Sequence, residues 1–464
     1  MENINFDKYQ LKAIKTFKNT LLIAGAGAGK TTTILGKIDF LLANGYTEDD
    51  ILCISFTNAS VNDLKNKLNN NIDVFTFHKL SLNILKDYDE NIKLCEPNLL
   101  LHTINNYLDN IRLYKKKYKK FIKYVNDENH FIKLALRFIN LFKASNYNEY
   151  KFKEIFLKIK KIKNKNKRLE LYMNLINIIN IYKLYENNLS AALEVDFNDM
   201  ITKATDIINS HGIKKIYKYI IIDEFQDTSL VRLNLIIAIY KKCNSTIFCV
   251  GDDFQSIYRF TGCDLNIFLN FKKYFKNSSI KKLKMTYRNP QELINIAGNF
   301  VMKNKKQMKK TLISHKSLSK PIVLIRKKDI TKIIESNANL MVLGRNNNDI
   351  FYYLNKDYLN KDYLNKHNIN YSTIHRSKGL EADNILLINI TNNTNGLPST
   401  VKNDYLIDLL LNDSNENYFE ERRLFYVALT RTKNKVFIVY EKENSSSFLK
   451  ELLKDYKKYI EFYK

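Results

Sequence analysis

A glycine-rich segment near the amino terminus constrains the fold of this chain more than any other feature. The apolar run at 20–25, TLLIAG, predicts a strand, and the segment after it leads through Lys30 and Thr31 into a predicted helix. Glycines let backbone N–H groups converge on phosphate oxygens, the helix N terminus adds its dipole, a lysine reaches the outer phosphates and a threonine ligates Mg²⁺. A glycine-rich turn without a nucleotide is the alternative. We predict a phosphate-binding loop made of Ala24, Gly25, Ala26, Gly27, Ala28, Gly29, Lys30, Thr31 and Thr32.

A second candidate element lies at the end of another apolar run. In YIIIDEFQDT, Asp223 closes the predicted strand and Glu224 follows directly. A carboxylate at this place can hold Mg²⁺ through water, and its neighbour can orient and deprotonate an attacking water molecule. Turn formation or helix capping is the alternative use of such a pair. Together with the phosphate-binding loop, the pair predicts nucleotide hydrolysis, with Thr31 and Asp223 as the metal ligands.

Strand and helix patterns alternate in two parts of the chain. Near-continuous apolar runs occur over 1–80 and 196–280, and further runs recur over 281–464. Such runs are typical of parallel sheets covered by helices on both faces, so we predict two α/β domains. The intervening residues 81–195 are basic and helical in pattern, which predicts a helical insertion. Its charge run at 160–170 fits a solvated helix face as well as a phosphate-binding patch.

Composition narrows the classes of partner. Lys and Arg number 75 against 48 acidic residues, a formal charge of +27, which favours nucleic acid or an anionic membrane. Heavy use of Asn, Ile, Lys and Tyr also fits an AT-rich genome, so part of this charge carries no functional meaning. The sequence shows no signal peptide, no run of membrane-spanning length and no CxxC pair among its five cysteines. We predict a cytoplasmic protein, in a bacterium or in the host cell of a virus, without membrane contact, zinc or iron–sulfur cluster.

Five longer motifs carry a family resemblance. They are DEFQD (223–227), VGDDFQSIYRF (250–260), LKMTYRNP (283–290), STIHRSKGLEAD (372–383) and EERRLFYVALTRTK (420–433). In this order they resemble the UvrD/Rep-like branch of superfamily 1A DNA helicases, and in finer wording the DNA helicase IV group. The resemblance implies two RecA-like P-loop domains, 1A (1–80 and 196–280) and 2A (281–464), with the helical insertion 1B (81–195) in the first.

The resemblance also assigns the parts of an ATP site. Lys30, Thr31, Asp223 and Glu224 recur in the family with the roles derived above. A guanidinium group suits the charge that builds on a transferred phosphoryl group. The further implied residues are Gln10 to read adenine, Tyr287 to stack on it, Glu381 to bind the ribose, Gln255 to couple hydrolysis to DNA, and Arg288 and Arg431 from the second domain.

A track for single-stranded DNA is implied in the same way. Aromatic faces stack on bases of any sequence, which suits a protein that steps along a strand. Core packing is the alternative for Phe56 and Phe260, and a purely structural role is the alternative for His78 and His375. The implied residues are Phe56, Thr57, Asn58, Thr76, His78, Tyr258, Phe260, Arg345, Thr373 and His375.

Two departures from the family pattern affect the expected function. Phe260-Thr261 stands where many relatives carry Trp-Arg, which keeps an aromatic ring and loses an arginine. The interval from Arg288 to His375 is too short for the large second insertion of bigger members. We therefore predict a short or vestigial 2B segment within about 305–370, which includes a tandem NKDYL repeat at 355–364.

The leading hypothesis is an ATP- and Mg²⁺-dependent 3′–5′ DNA helicase or translocase that acts as a monomer. Its substrates are single-stranded DNA and 3′-tailed duplex, and its role lies in DNA repair, replication or recombination. The first alternative is a DNA-stimulated ATPase subunit that remodels nucleoprotein or partners a nuclease in phage defence. A passive nucleic-acid-binding protein is disfavoured because every expected catalytic residue is present. A P-loop kinase is disfavoured by DEFQD and the two separated arginines.

Overall fold

The computed structural model describes residues 5–68, 71–125, 127–337, 339–354, 370–411 and 416–463. Strands are numbered here in chain order over these ranges. They are β1 (Asn19–Ile23), β2 (Ile51–Ser55), β3 (Asp73–Thr76), β4 (Lys93–Leu94), β5 (Glu194–Val195), β6 (Tyr219–Ile222), β7 (Thr246–Gly251), β8 (Ser278–Lys282), β9 (Met285–Thr286), β10 (Ile313–Ser314), β11 (Ile322–Ile325), β12 (Leu340–Gly344), β13 (Asn370–Thr373), β14 (Asn384–Leu387), β15 (Val436–Val439) and β16 (Ile460–Phe462).

The α-helices are numbered in the same manner. They are α1 (Lys8–Ile14), α2 (Lys30–Ala43), α3 (Asn58–Lys67), α4 (Phe77–Tyr88), α5 (Leu99–Arg112), α6 (Lys115–Val125), α7 (Glu128–Ala144), α8 (Glu149–Lys160), α9 (Lys165–Ala191), α10 (Phe197–His211), α11 (Leu230–Lys242), α12 (Leu265–Leu269), α13 (Phe271–Tyr274), α14 (Gln291–Val301), α15 (Ile330–Ser336), α16 (Asp349–Tyr353), α17 (Tyr405–Leu411), α18 (Glu416–Leu429) and α19 (Ser447–Tyr456).

Among the described residues, most strands lie in two six-stranded sheets. The first sheet has the order β3-β2-β6-β7-β1-β8 and the second the order β13-β12-β14-β15-β11-β16. Every pairing within both sheets is parallel. Strands such as β2 and β12 are buried along their whole length, because side chains on both faces of each sheet pack into apolar cores. The predicted α/β fold with two parallel-sheet domains is thereby confirmed.

Helices α5–α9 surround an apolar core of their own. Ile104, Phe138 and Ile178 lie at its centre. Helix α4 falls in the sequence range predicted for the insertion, yet its Ile84 and Leu85 pack into the core of the first sheet. The limits proposed for the individual domains stay a prediction.

A segment from the second half of the chain joins this helical core. Leu406, Ile407 and Leu410 of α17 are buried among the apolar side chains of the helical unit. Beside them, the Arg137 guanidinium donates to Asn403 Oδ1 at 2.9 Å. The helical unit therefore contacts both the first and the second α/β domain. Sequence pattern alone gave no indication of this contact.

The region predicted to hold a vestigial 2B segment, 305–370, is described except for residues 338 and 355–369. Its described part contains β10, β11, α15, β12 and α16. The NKDYL repeat at 355–364 lies outside the described residues. In the parts of the chain that the structure covers, no helix has the length and apolar character to cross a bilayer.

Lys37 fixes helix α1 against helix α2. Its side chain is fully buried, and Nζ donates hydrogen bonds to the carbonyl of Ile14, the last residue of α1, and to that of Thr16, which follows the helix. Cations interact favourably with aromatic faces and with the last carbonyls of a helix. Nζ lies over four rings, those of Phe17, Phe40, Tyr219 and Phe248, and burial lowers the pKa of Lys37 to about 7.

Replacing Lys37 with methionine should destabilise the first domain. We expect Lys37→Met to lose about 1–3 kcal/mol, because the buried Ile14 carbonyl loses its donor. Thermal unfolding followed by circular dichroism measures the change, with Lys12→Met on the exposed side of α1 as the matched control. An unfolding midpoint equal to that of the Lys12→Met control would show that the link carries no stability.

Candidate functional site

A cleft opens where the carboxyl ends of β1, β6 and β7 meet the second half of the chain. In parallel α/β sheets this edge is the usual place for a ligand, because loops and helix N termini converge there. The cleft has a cavity volume of about 450 Å³. It is lined by Asn5, Gln10, Gly25, Gly27, Ala28, Gly29, Lys30, Thr31, Thr32, Glu224, Gln255, Tyr287, Arg288, Gly379, Glu381 and Arg431.

The predicted phosphate-binding loop forms one wall of this cleft. Gly27 and Gly29 adopt φ angles of +67° and +76°, which residues with a Cβ rarely adopt. A Cβ on Gly27 would lie 2.4 Å from Cβ of Arg288, and one on Gly29 would lie 2.7 Å from Nε2 of Gln10. Helix α2 begins at Lys30, so its N-terminal dipole points at the loop. The glycines thus permit both the turn and the close approach of its neighbours.

The acidic pair lies next to the loop, after the end of β6, and Glu224 of the pair lines the cleft. Glu224 pairs with the ammonium of Lys30, and its backbone N–H donates to Asp223 Oδ1 at 2.9 Å. Burial and the neighbouring Glu224 carboxylate raise the pKa of Asp223. Burial opposes ionisation of Glu224 as well, but Lys30 and Lys378 outweigh it and lower its pKa. The two carboxyl groups therefore differ in proton affinity: Asp223 binds a proton more tightly than Glu224 does.

Both predicted arginines reach the cleft from the second half of the chain. Arg431 is buried, and its guanidinium donates to Gln255 Oε1 at 3.1 Å. Burial and the charge of Arg288 lower the pKa of Arg431 to about 9. Arg288 donates from Nε to Glu381 Oε2 at 2.8 Å. Glu381, predicted to bind a ribose, is thus already held by an arginine.

Of the predicted adenine-binding residues, Gln10 lies in α1 and Tyr287 contacts the start of that helix. The Tyr287 hydroxyl donates to Asp7 Oδ2 at 2.8 Å, while 47% of the residue's surface stays exposed. Gln10 accepts the backbone N–H of Asp7 at Oε1, at 2.9 Å, and its Nε2 faces Gly29. An exposed ring beside an oriented amide suits a base that is stacked on one side and hydrogen-bonded at its edge.

Four of the predicted DNA-binding residues form one aromatic row. The rings of Phe56 and Tyr258 are stacked, 6.1 Å apart and 6° from parallel. Phe260 packs edge-on against Tyr258 and against His375, with 5.6 Å between the Phe260 and His375 rings. Phe260 is 48% exposed, which excludes core packing for it, whereas Phe56 is half-buried. Phe260 is thus the exposed ring of the row, whereas the Arg232 guanidinium lies over Phe56 and the Lys378 ammonium lies over Tyr258.

Three other predicted contacts lie at the starts of helices. Thr57 Oγ1 accepts the Ser60 N–H at 3.1 Å and caps α3, whose first residue, Asn58, is exposed. Thr76 Oγ1 accepts the Lys79 N–H at 3.2 Å and caps α4. Capping explains both threonines structurally. It leaves their backbone N–H groups at helix ends, where phosphates bind readily.

The last three predicted contacts already have protein partners. His78 packs edge-on against Phe197, with 5.1 Å between ring centroids. Arg345 forms an ion pair with Glu421 at 2.7 Å. Thr373 is buried and accepts the Arg376 N–H at 3.4 Å.

Lys378 and Asp227 lie inside two of the long motifs, but the sequence predicted no role for either residue. Lys378, in the KGLEAD motif, pairs with Asp227, the last residue of DEFQD, and donates to the Gln255 carbonyl at 2.8 Å. Their position inside motifs of the family was the sequence signal that could have identified them.

Lys310 also has a structural role that the sequence did not predict. It pairs with Asp252 and Asp253 behind the phosphate loop, and it lies in none of the quoted motifs.

Two family profiles match this chain. The UvrD/REP helicase N-terminal domain matches residues 6–276, more than half of the chain, and the UvrD-like helicase C-terminal domain matches residues 348–443. The chain belongs to the UvrD/Rep helicase family. The resemblance predicted from its motifs is confirmed.

Individual relatives agree with this assignment. The chain is 26% identical to DNA helicase IV of Escherichia coli K12, over 98% of this chain and 71% of that protein. It is 29% identical to a probable DNA helicase II homolog of Rickettsia conorii, over 66% of this chain and 46% of the relative. It is 32% identical to the ATP-dependent DNA helicase Rep of Buchnera aphidicola from Acyrthosiphon pisum, over 63% and 44%. The matches to the helicase II homolog and to Rep thus span just under half of those relatives.

Both histidines of the predicted DNA track should stay neutral at physiological pH. Burial, together with Arg232, lowers the pKa of His78 to about 4; burial, with Arg345 and Lys378, lowers that of His375 to about 3. We therefore expect the affinity for single-stranded DNA to change less than about twofold between about pH 6 and pH 8. Fluorescence anisotropy at constant ionic strength measures it. An affinity that falls steeply as the pH rises through this range would contradict the neutral state of both rings.

Proposed function

We propose that this chain is an ATP-driven motor that moves 3′ to 5′ along single-stranded DNA. One observation carries the proposal: Gln255 lines the phosphate-binding cleft, and Tyr258, three residues later, lies in the aromatic row. A single short segment therefore touches both candidate sites. The polarity rests on the family resemblance.

Hydrolysis in this proposal uses residues from both sides of the cleft. ATP is the substrate, and a bound Mg²⁺ ion would neutralise negative charge on its phosphates. Thr31 and Asp223 are the proposed ligands. A hydroxyl at a helix start and a buried carboxyl group beside a second carboxylate fit that ion. Burial, and then repulsion from Glu224, raise the pKa of Asp223, and a bound cation would offset both effects.

Glu224 is the proposed general base. Lys30 and Lys378 keep its carboxylate ionised, so that it can orient the attacking water, and the proton passes to it once Lys30 has moved to the phosphates. Lys30 pairs with this carboxylate and also lies at the start of α2, where phosphates are expected. Phosphate oxygens compete for the Lys30 ammonium, so ATP binding frees Glu224 for the water.

The two arginines couple this chemistry to domain movement. Arg288 and Arg431 stabilise charge on the transferred phosphoryl group from the second half of the chain. ATP thereby joins both halves, and hydrolysis weakens that contact. Gln255 accepts from Arg431, and its carbonyl accepts from Lys378, which lies over the Tyr258 ring, so Gln255 and Lys378 together are the proposed relay to the bound strand.

The proposed substrates are single-stranded DNA and 3′-tailed duplex, handled by a monomer in the bacterial cytosol or the cytosol of a viral host. Repair, replication or recombination is the proposed setting. The short interval between Arg288 and His375 favours one alternative, a DNA-stimulated ATPase that partners a nuclease and unwinds little on its own. Unwinding of 3′-tailed but not 5′-tailed duplex by the purified chain supports the motor, and co-purification with a nuclease supports the alternative.

Replacing Glu224 with glutamine tests the proposed chemistry. We expect single-stranded DNA to stimulate ATP turnover by the wild-type chain. We expect Glu224→Gln to reduce the stimulated rate by about 100-fold or more, because the general base is lost while the side chain keeps its size. A coupled assay of ADP release, with and without DNA, gives both rates.

The exposed Glu443 provides the matched control for this measurement. Glu443→Gln makes the same chemical change away from the cleft and should turn over at the wild-type rate. Unchanged turnover in Glu224→Gln would remove Glu224 from the mechanism. If single-stranded DNA left the ATP turnover of the wild-type chain unchanged, that result would contradict the proposal that the chain is a DNA-dependent motor.

A further inference from the structure

A second cavity lies at the carboxyl edge of the second sheet. Strands β11, β12 and β14 end there, and the chain continues into Lys327, Asn346 and Asn389 respectively. The cavity has a volume of about 670 Å³. Edges of this kind bind ligands in parallel α/β sheets, because polar groups from several loops converge on one space.

The inner side of this cavity is rigidly hydrogen-bonded. The side-chain amides of Asn346 and Asn389 each donate to the Asn395 carbonyl at 2.8 Å. The Asn389 amide also donates to Asp349 Oδ1 at 2.9 Å, and the Asn346 N–H donates to Asp349 Oδ2 at 2.8 Å. The negative charge of Asp349 is therefore satisfied from within, and the loops that frame the cavity hold a fixed arrangement.

The outer side of the cavity has unused hydrogen-bonding groups. Within the described residues, the side-chain amides of Asn348 and Asn393 form no hydrogen bond, and both residues are exposed. The ring of Tyr352 is 76% exposed. Lys327 supplies a positive charge, with Nζ 5.1 Å from the centroid of the Tyr353 ring. An aromatic face, free amides and a cation occur together at this rim.

This cavity is continuous with the predicted DNA track. A neighbouring cavity is lined by Arg345, Thr373 and Arg376, and it shares Asn346 and Asn348 with the first. Arg345 and Thr373 are two of the residues predicted to contact single-stranded DNA. A strand that passes over them reaches the amide-lined cavity next.

We propose that the amide-lined cavity binds one further nucleotide of the same single strand. The base stacks on Tyr352, the amides of Asn348 and Asn393 bond to its edge, and Lys327 neutralises a flanking phosphate. An amide both donates and accepts, which matches a base edge, and an aromatic face accepts any base. The proposal rests on the proposed function, since it requires that the chain bind single-stranded DNA.

Oligonucleotide length separates this subsite from the rest of the track. Fluorescence anisotropy with single strands of about 4 to 16 nucleotides, at fixed salt, gives the affinity for each length. We expect Tyr352→Ala to weaken the binding of long strands about tenfold, the loss of one stacked base, and to leave strands too short to reach the cavity unchanged. Phe351→Ala is the matched control, because Phe351 is the adjacent exposed aromatic residue and does not line the cavity.

A second variant shows whether the weaker binding of Tyr352→Ala reflects the subsite or a general loss of structure. Asn348→Ala combined with Asn393→Ala removes the free amides and should give the same length-dependent loss at an unchanged unfolding midpoint. Equal affinities of Tyr352→Ala and wild type at every length overturn the subsite alone, provided that Phe260→Ala weakens binding at all lengths. A wild-type chain that binds no single-stranded DNA overturns the subsite and the proposed function together.

Discussion

The buried ammonium of Lys378 holds the two halves of the candidate motor together. It pairs with Asp227, donates to the Gln255 carbonyl at 2.8 Å and lies 4.9 Å from the centroid of the Tyr258 ring. Burying a charge costs free energy through desolvation, unless ion pairs and hydrogen bonds of good geometry compensate for it. Moving the second domain relative to the first therefore breaks or remakes this whole set of contacts at once.

That set of contacts connects the aromatic row to the acidic pair. Tyr258 donates from its hydroxyl to the His375 carbonyl at 3.0 Å, in the same loop that carries Lys378. On the other side, the Gln226 amide bridges Asp227 and Glu224, at 3.3 and 2.6 Å. A strand that displaces Tyr258 would thus alter the surroundings of the proposed general base through three intermediates, Lys378, Asp227 and Gln226. Short polar bridges of this kind suit a switch between two discrete arrangements better than a gradual deformation.

The pattern of neighbouring residues predicted those parts of the structure that form within one short segment of the chain. The phosphate loop was predicted from an apolar run that leads into glycines before Lys30. The acidic pair at the end of β6 was predicted from an apolar run that leads into Asp223 and Glu224. Apolar runs over 1–80, 196–280 and 281–464 also predicted both sheets, and the resemblance carried by the long motifs implied the same two domains. Contacts between distant segments could not be predicted in this way, because single-sequence patterns do not encode them. Examples are α17 in the helical core, the Arg288–Glu381 pair and the Lys378–Asp227 pair.

The central claim is that the contacts of Lys378 transmit strand binding to ATP hydrolysis. Its most direct test is the ratio of ATP turnover with single-stranded DNA to turnover without it, measured for Lys378→Met. We expect this ratio to fall close to one while ATP and single-stranded DNA each still bind, because the bridge between Tyr258 and Asp227 is removed. A ratio equal to that of the wild-type chain would contradict the claim and place the coupling elsewhere.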